Sequence, residues 1–283
     1  MTRLITSDIS DIADNLKKYD TELVARTGHS MCGIACRAAE IDEDQIRNLL
    51  PEIRVGVIPI TSGEGTIGGF ADAVLKILLH MGANAFVTRT TDVAGIAESF
   101  EKKADIVMLA DDERFVALHI QTRSIADNGA CTGKAFATGL SLMAGGLEGR
   151  EVLVIGCGSV GGSATKSLVR MGAGMSVYDI NAEPAKALTS KIHQKFDTKI
   201  HIVEKLEPAL RRHKYILDAS PAGNVIHAQH ITRDTYVSAP GMPSGLDPEA
   251  ETAISDRYLH DPLQLGVVTM LVDAAKYHFE HGQ

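Results

Sequence analysis

The chain has 283 residues, 45% of them hydrophobic, with 28 Lys plus Arg against 36 Asp plus Glu, for a net charge of −8. Domains usually hold about 100–200 residues, so two are expected, and the hydrophobic share excludes a disordered chain. The acidic balance argues against a nucleic-acid backbone as partner, because that contact rests on basic patches, and it favours a cationic small molecule over an anionic one.

From Asp8 to Arg26 the apolar residues Ile9, Ile12, Leu16 and Leu23 fall at helical spacing, and a second amphipathic helix is expected over Glu43–Leu50, stopping before Pro51. Cys32 and Cys36 stand four apart and would share a helix face; no further ligands at metal spacing accompany them. With Cys131 and Cys157 they are expected as packing thiols, and the eleven His show no zinc-type spacing, so no metal is expected. Ile53–Ile60 is a β-branched run that predicts a buried strand, followed by a turn over Thr61–Gly65 and a helix over Ile67–Met81 closed by Gly82. A short strand at Ala85–Thr88, a helix at Asp92–Lys103 and a strand at Asp105–Ala110 complete a strand–helix alternation that predicts a small parallel sheet. Ligands gather at the carboxyl ends of such strands, which places Ser62 and Asp111 at one crevice. Asn128–Gly146 is rich in small residues and is expected to be a closely packed helix connecting two domains.

A second domain follows. Glu151–Ile155 is a buried strand running into Gly156-Cys157-Gly158-Ser159-Val160-Gly161; a helix over Gly162–Met171 ends at Gly172, and a strand over Gly174–Tyr178 ends at Asp179. This is G-x-G-x-x-G with strand before, helix after and an acid about 20 residues on. Gly156 permits the tight turn, Gly158 lets backbone approach a pyrophosphate, and Gly161 lets helix pack on strand; the helix N-terminus offers unpaired N–H groups to the phosphates, and Ser159 and Val160 within the motif are expected to touch the cofactor. Asp179 would accept hydrogen bonds from a ribose diol, beside Ile180, and would repel a 2′-phosphate; with no Arg close behind it, NAD is favoured over NADP. Strands over Lys214–Ala219 and Tyr236–Ala239 end in loops where Ala219, Ser220, Pro221, Pro240 and Gly241 are expected to border the cofactor. The fold class is therefore α/β, a small N-terminal α/β domain (1–127), a connecting helix with a Rossmann domain (128–258), and a C-terminal helix from Pro262 to His281 returning to the first domain (259–283). No apolar run approaches the ~20 residues of a membrane span, and Met1–Asp8 lacks a signal core, so a cytoplasmic protein is expected.

Beyond the Rossmann segment, T-S-G-E-G-T-I-G-G-F at Thr61–Phe70, L-A-D-D-E-R-F at Leu109–Phe115, D-N-G-A-C-T-G-K-A-F at Asp127–Phe136 and H-D-P-L-Q-L-G-V-V-T-M at His260–Met270 make the chain resemble the pyrrolysine-biosynthesis dehydrogenase family almost end to end. The resemblance implies an NAD-dependent oxidation of the carbon bearing the terminal amine of (3R)-3-methyl-D-ornithyl-N6-L-lysine, with ammonia lost overall as the α-amine closes the pyrrolysine ring. It also implies that Leu4 and Ile5 contact this dipeptide-like substrate. The chemistry itself calls for a group that takes a proton from the ammonium and stabilises the developing cation, and a carboxylate near the nicotinamide suits both tasks. Asp111 is the candidate, in an acidic run that otherwise reads as a solvated cap. Ser62 would hydrogen-bond the substrate or be a plain turn residue, and Asn128 would bind substrate or cap a helix. His260 and Asp261 fit a cap before Pro262 better than a place in the cleft. Other amino-acid or methylene-folate-type dehydrogenases, and an NAD-sensing regulator, share the same outline; the oligomeric state is open, a homodimer being the expectation from the fold.

Overall fold

The computed structural model describes residues 4–278. The chain opens with α1 (Thr6–Ile9), α2 (Ile12–Thr27), α3 (Met31–Ala39) and α4 (Glu43–Leu49). Gly28 stops α2 in the left-handed region at φ 75, its N–H returned to the Val24 carbonyl. Sequence periodicity missed α3 because Met31, Cys32, Ile34, Ala35 and Cys36 are all buried, leaving no polar face to set a period. The Cys32 and Cys36 sulfurs lie 3.9 Å apart on it, and all four cysteines are buried free thiols.

The first sheet carries β1 (Arg54–Ile58), α5 (Phe70–His80), β2 (Asn84–Val87), α6 (Asp92–Glu101), β3 (Ile106–Ala110), β4 (Phe115–His119) and β5 (Ser124–Asp127), in strand order β2-β1-β3-β4-β5. The expected parallel set is present, β1 pairing in parallel with β2 and β3, but β4 and β5 add antiparallel strands and make the sheet mixed. The reason is local. β3 and β4 are joined by a tight turn closed by the Asp111 N–H on the Arg114 carbonyl at 2.9 Å, and a connection that short permits only an antiparallel return.

Next, α7 (Asn128–Met143) leads into β6 (Glu151–Ile155), α8 (Ser159–Arg170), β7 (Gly174–Tyr178), α9 (Ala182–Phe196), β8 (His201–Ile202), α10 (Leu206–Arg212), β9 (Tyr215–Asp218), β10 (Tyr236–Pro240), α11 (Pro248–Ala253), β11 (Tyr258–Asp261) and α12 (Gln264–Ala275). The second sheet is six-stranded and parallel, in order β11-β10-β9-β6-β7-β8. Its strand order reverses around β6, and the crevice above that switch point is where such sheets bind ligands. β11 extends this sheet across the expected 258/259 boundary. The C-terminal helix starts at Gln264 and reaches Ala275; the part of the expected helix beyond His278 lies outside the described residues.

The two sheets are joined by helices that tolerate no bulk at their contact. A Cβ on Gly133 would stand 2.3 Å from the Val160 carbonyl, and one on Gly129 would stand 2.5 Å from Ser159 Oγ, so α7 reaches α8 only because glycine faces it. Every residue of α12 is buried, and it packs on α7, α3 and α5. Its one buried acid, Asp273, is neutralised by Lys134 of α7 at 3.0 Å and by Lys276 at 2.7 Å. No helix among the described residues is long and apolar enough to cross a membrane.

Candidate active site

A cavity of about 630 Å³ lies between the carboxyl ends of both sheets, a size that suits a cofactor with a small substrate. On the Rossmann side its wall is made by Gly156, Gly158, Ser159, Val160 and Asp179, then by Ala219, Ser220 and Pro221 after β9 and Pro240 and Gly241 after β10. The helix begins directly at Ser159, three residues earlier than the sequence predicts, so the glycine turn delivers the α8 N-terminus straight into the cavity.

The three motif glycines do separate work. Gly156 has φ +85, and a Cβ there would meet the Ala219 carbonyl at 2.8 Å. Gly161 faces inward, where a Cβ would fall 1.8 Å from the Gly156 carbonyl oxygen. Gly158 is the opposite case: a Cβ would meet nothing within 4 Å, so its bareness serves no internal packing and leaves a cradle above the backbone. That empty approach, with the N–H groups of a helix start behind it, fits a dinucleotide pyrophosphate. Asp179 stands at the end of β7, with Oδ2 accepting from the Cys157 amide at 2.8 Å and Oδ1 from the Asn181 amide at 2.9 Å. Those two bonds fix its carboxylate at the rim of the glycine turn. Ile180 beside it is 87% exposed and does not line the cavity.

Facing this wall is the carboxyl edge of the first sheet. Asp111, Asp112, Glu113 and Arg114 form the β3–β4 turn and line the cavity. Asp111 Oδ1 accepts from the Glu113 amide at 2.9 Å and the Arg114 amide at 2.7 Å. The Arg114 amide first, then that of Glu113, holds the Asp111 carboxyl below the usual carboxylate range, so it is an anion throughout the neutral pH region. Asp112 Oδ2 accepts from the Glu64 amide at 2.8 Å and ties the loop after β1 to this turn. Ser62, on that loop, is exposed and is not among the lining residues, and neither is Ile5, which is 62% exposed. Leu4 does line the cavity. Asn128, at the start of α7, lines it and is buried, its amide directed to Met270 Sδ at 3.2 Å; the cap of α7 is Asp127 instead.

Two acids gain importance from the tertiary structure. Asp261 ends β11, lines the cavity, and is buried. The Tyr19 hydroxyl of α2 donates to its Oδ2 at 2.5 Å, and the Leu263 amide donates to Oδ1 at 3.0 Å. Burial pushes its carboxyl upward, the Tyr19 bond pulling the other way. It faces the cleft, the place the sequence had ranked second, and it also accepts from the Leu263 and Leu265 amides on the approach to the last helix without being its cap residue. Asp218 ends β9, and its Oδ1 accepts from the Ser220 amide at 3.0 Å, shaping the loop beside the cofactor wall. Its Oδ2 is buried without a hydrogen-bond partner, and burial pushes the carboxyl up to about 6.

This fold and site define a two-domain oxidoreductase: a Rossmann dehydrogenase with a nicotinamide-nucleotide site, closed by a second domain that presents acids. In its architecture the chain is similar to quinate dehydrogenase from Corynebacterium glutamicum in complex with NAD, with a TM-score of 0.54 and 14% identity over 82% of this chain and 94% of that one. The family described as alanine dehydrogenase/PNT, C-terminal domain, matches residues 126–232, and the pyrrolysine biosynthesis protein PylD, N-terminal domain, matches residues 8–126. A pyrrolysine synthase of Methanosarcina acetivorans is 32% identical over 96% of this chain and 98% of its own length, and one of Methanosarcina barkeri is 28% identical over 96% and 97%. The chain belongs to the PylD, or pyrrolysine synthase, family.

Proposed function

We propose that the protein is an NAD-dependent dehydrogenase of pyrrolysine biosynthesis, oxidising the amine-bearing terminal carbon of (3R)-3-methyl-D-ornithyl-N6-L-lysine, with overall loss of ammonia and closure to L-pyrrolysine. The observation that carries this reading is one cavity with a phosphate cradle at Gly158 on one wall and the Asp111–Asp112–Glu113 run on the other. A substrate with three amines matches an acid-lined wall. Bound NAD supplies the acceptor for the hydride removed from that carbon. Asp179, an acid with no Arg close behind it, favours a free ribose diol over a 2′-phosphate. Asp111 takes the substrate's ammonium as a fixed anionic partner and, once bound substrate shields it from water and raises its proton affinity, receives the proton, with Asn128 and Leu4 in the same lining. Ser62 and Ile5 join this set only if the loop after β1 and α1 close on substrate. The test is absorbance at 340 nm on adding the dipeptide amine with NAD or NADP. Turnover with NAD well above that with NADP supports the reading; NAD binding without turnover would make the protein a sensor.

A further inference from the structure

The lining of the cavity contains five acids, Asp111, Asp112, Glu113, Asp179 and Asp261, and among the described residues a single basic side chain, Arg114. That imbalance suits a substrate rich in ammonium groups, but the proposed substrate also carries one carboxylate, on its lysine part. A carboxylate facing only acids would pay desolvation and repulsion together.

We infer that Arg114 receives the lysine carboxylate and sets the orientation of the substrate in the cavity; the inference rests on the function proposed above. Arg114 ends the β3–β4 turn, next in sequence to Glu113 and three residues from Asp111. Its guanidinium is held from one side only. Nε and Nη2 both donate to Asp127 Oδ2, at 3.3 and 3.1 Å. Asp127 in turn is anchored, since its Oδ1 accepts from the Ala130 amide at 3.2 Å as the cap of α7. A guanidinium has five N–H donors in a planar fork, so this tie fixes its plane and leaves donors for a second carboxylate. The side chain is 57% exposed, so nothing buries that remaining edge. Glu113 beside it supplies the opposite charge. The two together match the α-carboxylate and α-ammonium of an amino-acid end, while Asp111, just after β3 and so two strands away from the β5 residue that holds the guanidinium, is left for the terminal amine that reacts. Carboxylate recognition at Arg114 thereby decides which of the three amines reaches the acceptor.

The experiment compares the dipeptide amine with the same compound bearing a lysine carboxamide, in wild type, Arg114→Gln and Arg114→Lys. In wild type the amide should raise KM about 10- to 100-fold, the span of one charge-assisted hydrogen bond. Arg114→Gln should raise KM for the acid by a similar factor and bring the amide-to-acid KM ratio close to 1, with the KM for NAD unmoved. Arg114→Lys, which keeps charge and loses the fork, should fall between them. Equal losses on acid and amide in Arg114→Gln would mean that the residue acts only by bracing Asp127, and no loss on the acid would remove it from the site; either overturns the inference while wild-type turnover upholds the function. Wild-type inactivity on the acid would instead overturn the proposed function, and this inference with it.

Discussion

Replacing Gly158 and Gly161 separately by Ala should split one glycine motif into two unlike outcomes. Gly158 has φ −71 and ψ −161, open to any L-residue, and a new Cβ would meet nothing within 4 Å. Ala is a poorer helix cap than Gly by about 0.5–1 kcal/mol, but it also restricts the unfolded chain, which returns roughly 0.4–1 kcal/mol. The net effect on stability should stay within about 0.5 kcal/mol. The new methyl nonetheless fills the approach to the α8 N-terminus. If it costs one or two charge-assisted hydrogen bonds to the pyrophosphate, NAD affinity should fall by roughly 3–4 kcal/mol, or about 10²- to 10³-fold. At Gly161 the Cβ would stand 1.8 Å from the Gly156 carbonyl oxygen, which cannot retreat without opening the turn. That overpacking should cost about 3 kcal/mol or more and lower Tm by at least ~6 °C. Calorimetry with NAD and thermal melts without it measure both quantities. Gly158→Ala binding NAD like wild type would refute the cradle, and equal destabilisation by the two variants would refute the division of labour.

Asp179→Ala should weaken NAD about 10- to 100-fold while leaving NADP much less affected, because the lost partner is one for a free 2′-hydroxyl; titration of both cofactors checks this, and an unchanged ratio removes Asp179 from the choice. Asp111→Asn should lower kcat by roughly 10²–10⁴ with little change in NAD affinity, and raising the pH should rescue it more than wild type, since alkali deprotonates the amine unaided. Without such rescue, Asp111 positions the ammonium and leaves its proton to another group. Asp218 has a folded-state pKa pushed up to about 6, above its unfolded value, so its contribution to stability is complete below the unfolded pKa and is lost as pH rises through 6. Above that pH its ionised, buried form costs roughly 3 kcal/mol, so Asp218→Asn should raise Tm at pH 7 and flatten the fall in Tm between pH 4 and 6 relative to wild type; parallel Tm–pH curves would contradict it.

By itself the sequence determined the elements whose local chemistry is self-sufficient. The glycine motif sits between a strand and a helix because each glycine answers a backbone constraint visible in the spacing, and the acid after β7 follows from the length of one strand–helix–strand unit. The family was legible for a related reason: the runs at Thr61–Phe70, Leu109–Phe115 and His260–Met270 are distinctive strings that need no fold to be recognised. Where burial is uniform, pattern failed. α3 has no polar face, β11 is too short and too near Pro262 to announce itself, and β4, though alternately buried, reads Phe-Val-Ala-Leu-His and shows no period-two pattern in sequence. Only the tertiary structure decided which polar residues meet. Ser62 and Asp111 follow neighbouring parallel strands, yet the loop after β1 carries Ser62 outside the cavity lining while the tight β3–β4 turn keeps Asp111 inside it. Asp261 lies 242 positions from Tyr19, and Arg114 takes its partner from the far end of β5. Such contacts depend on chain reversal and sheet register, long-range quantities to which no local spacing gives access.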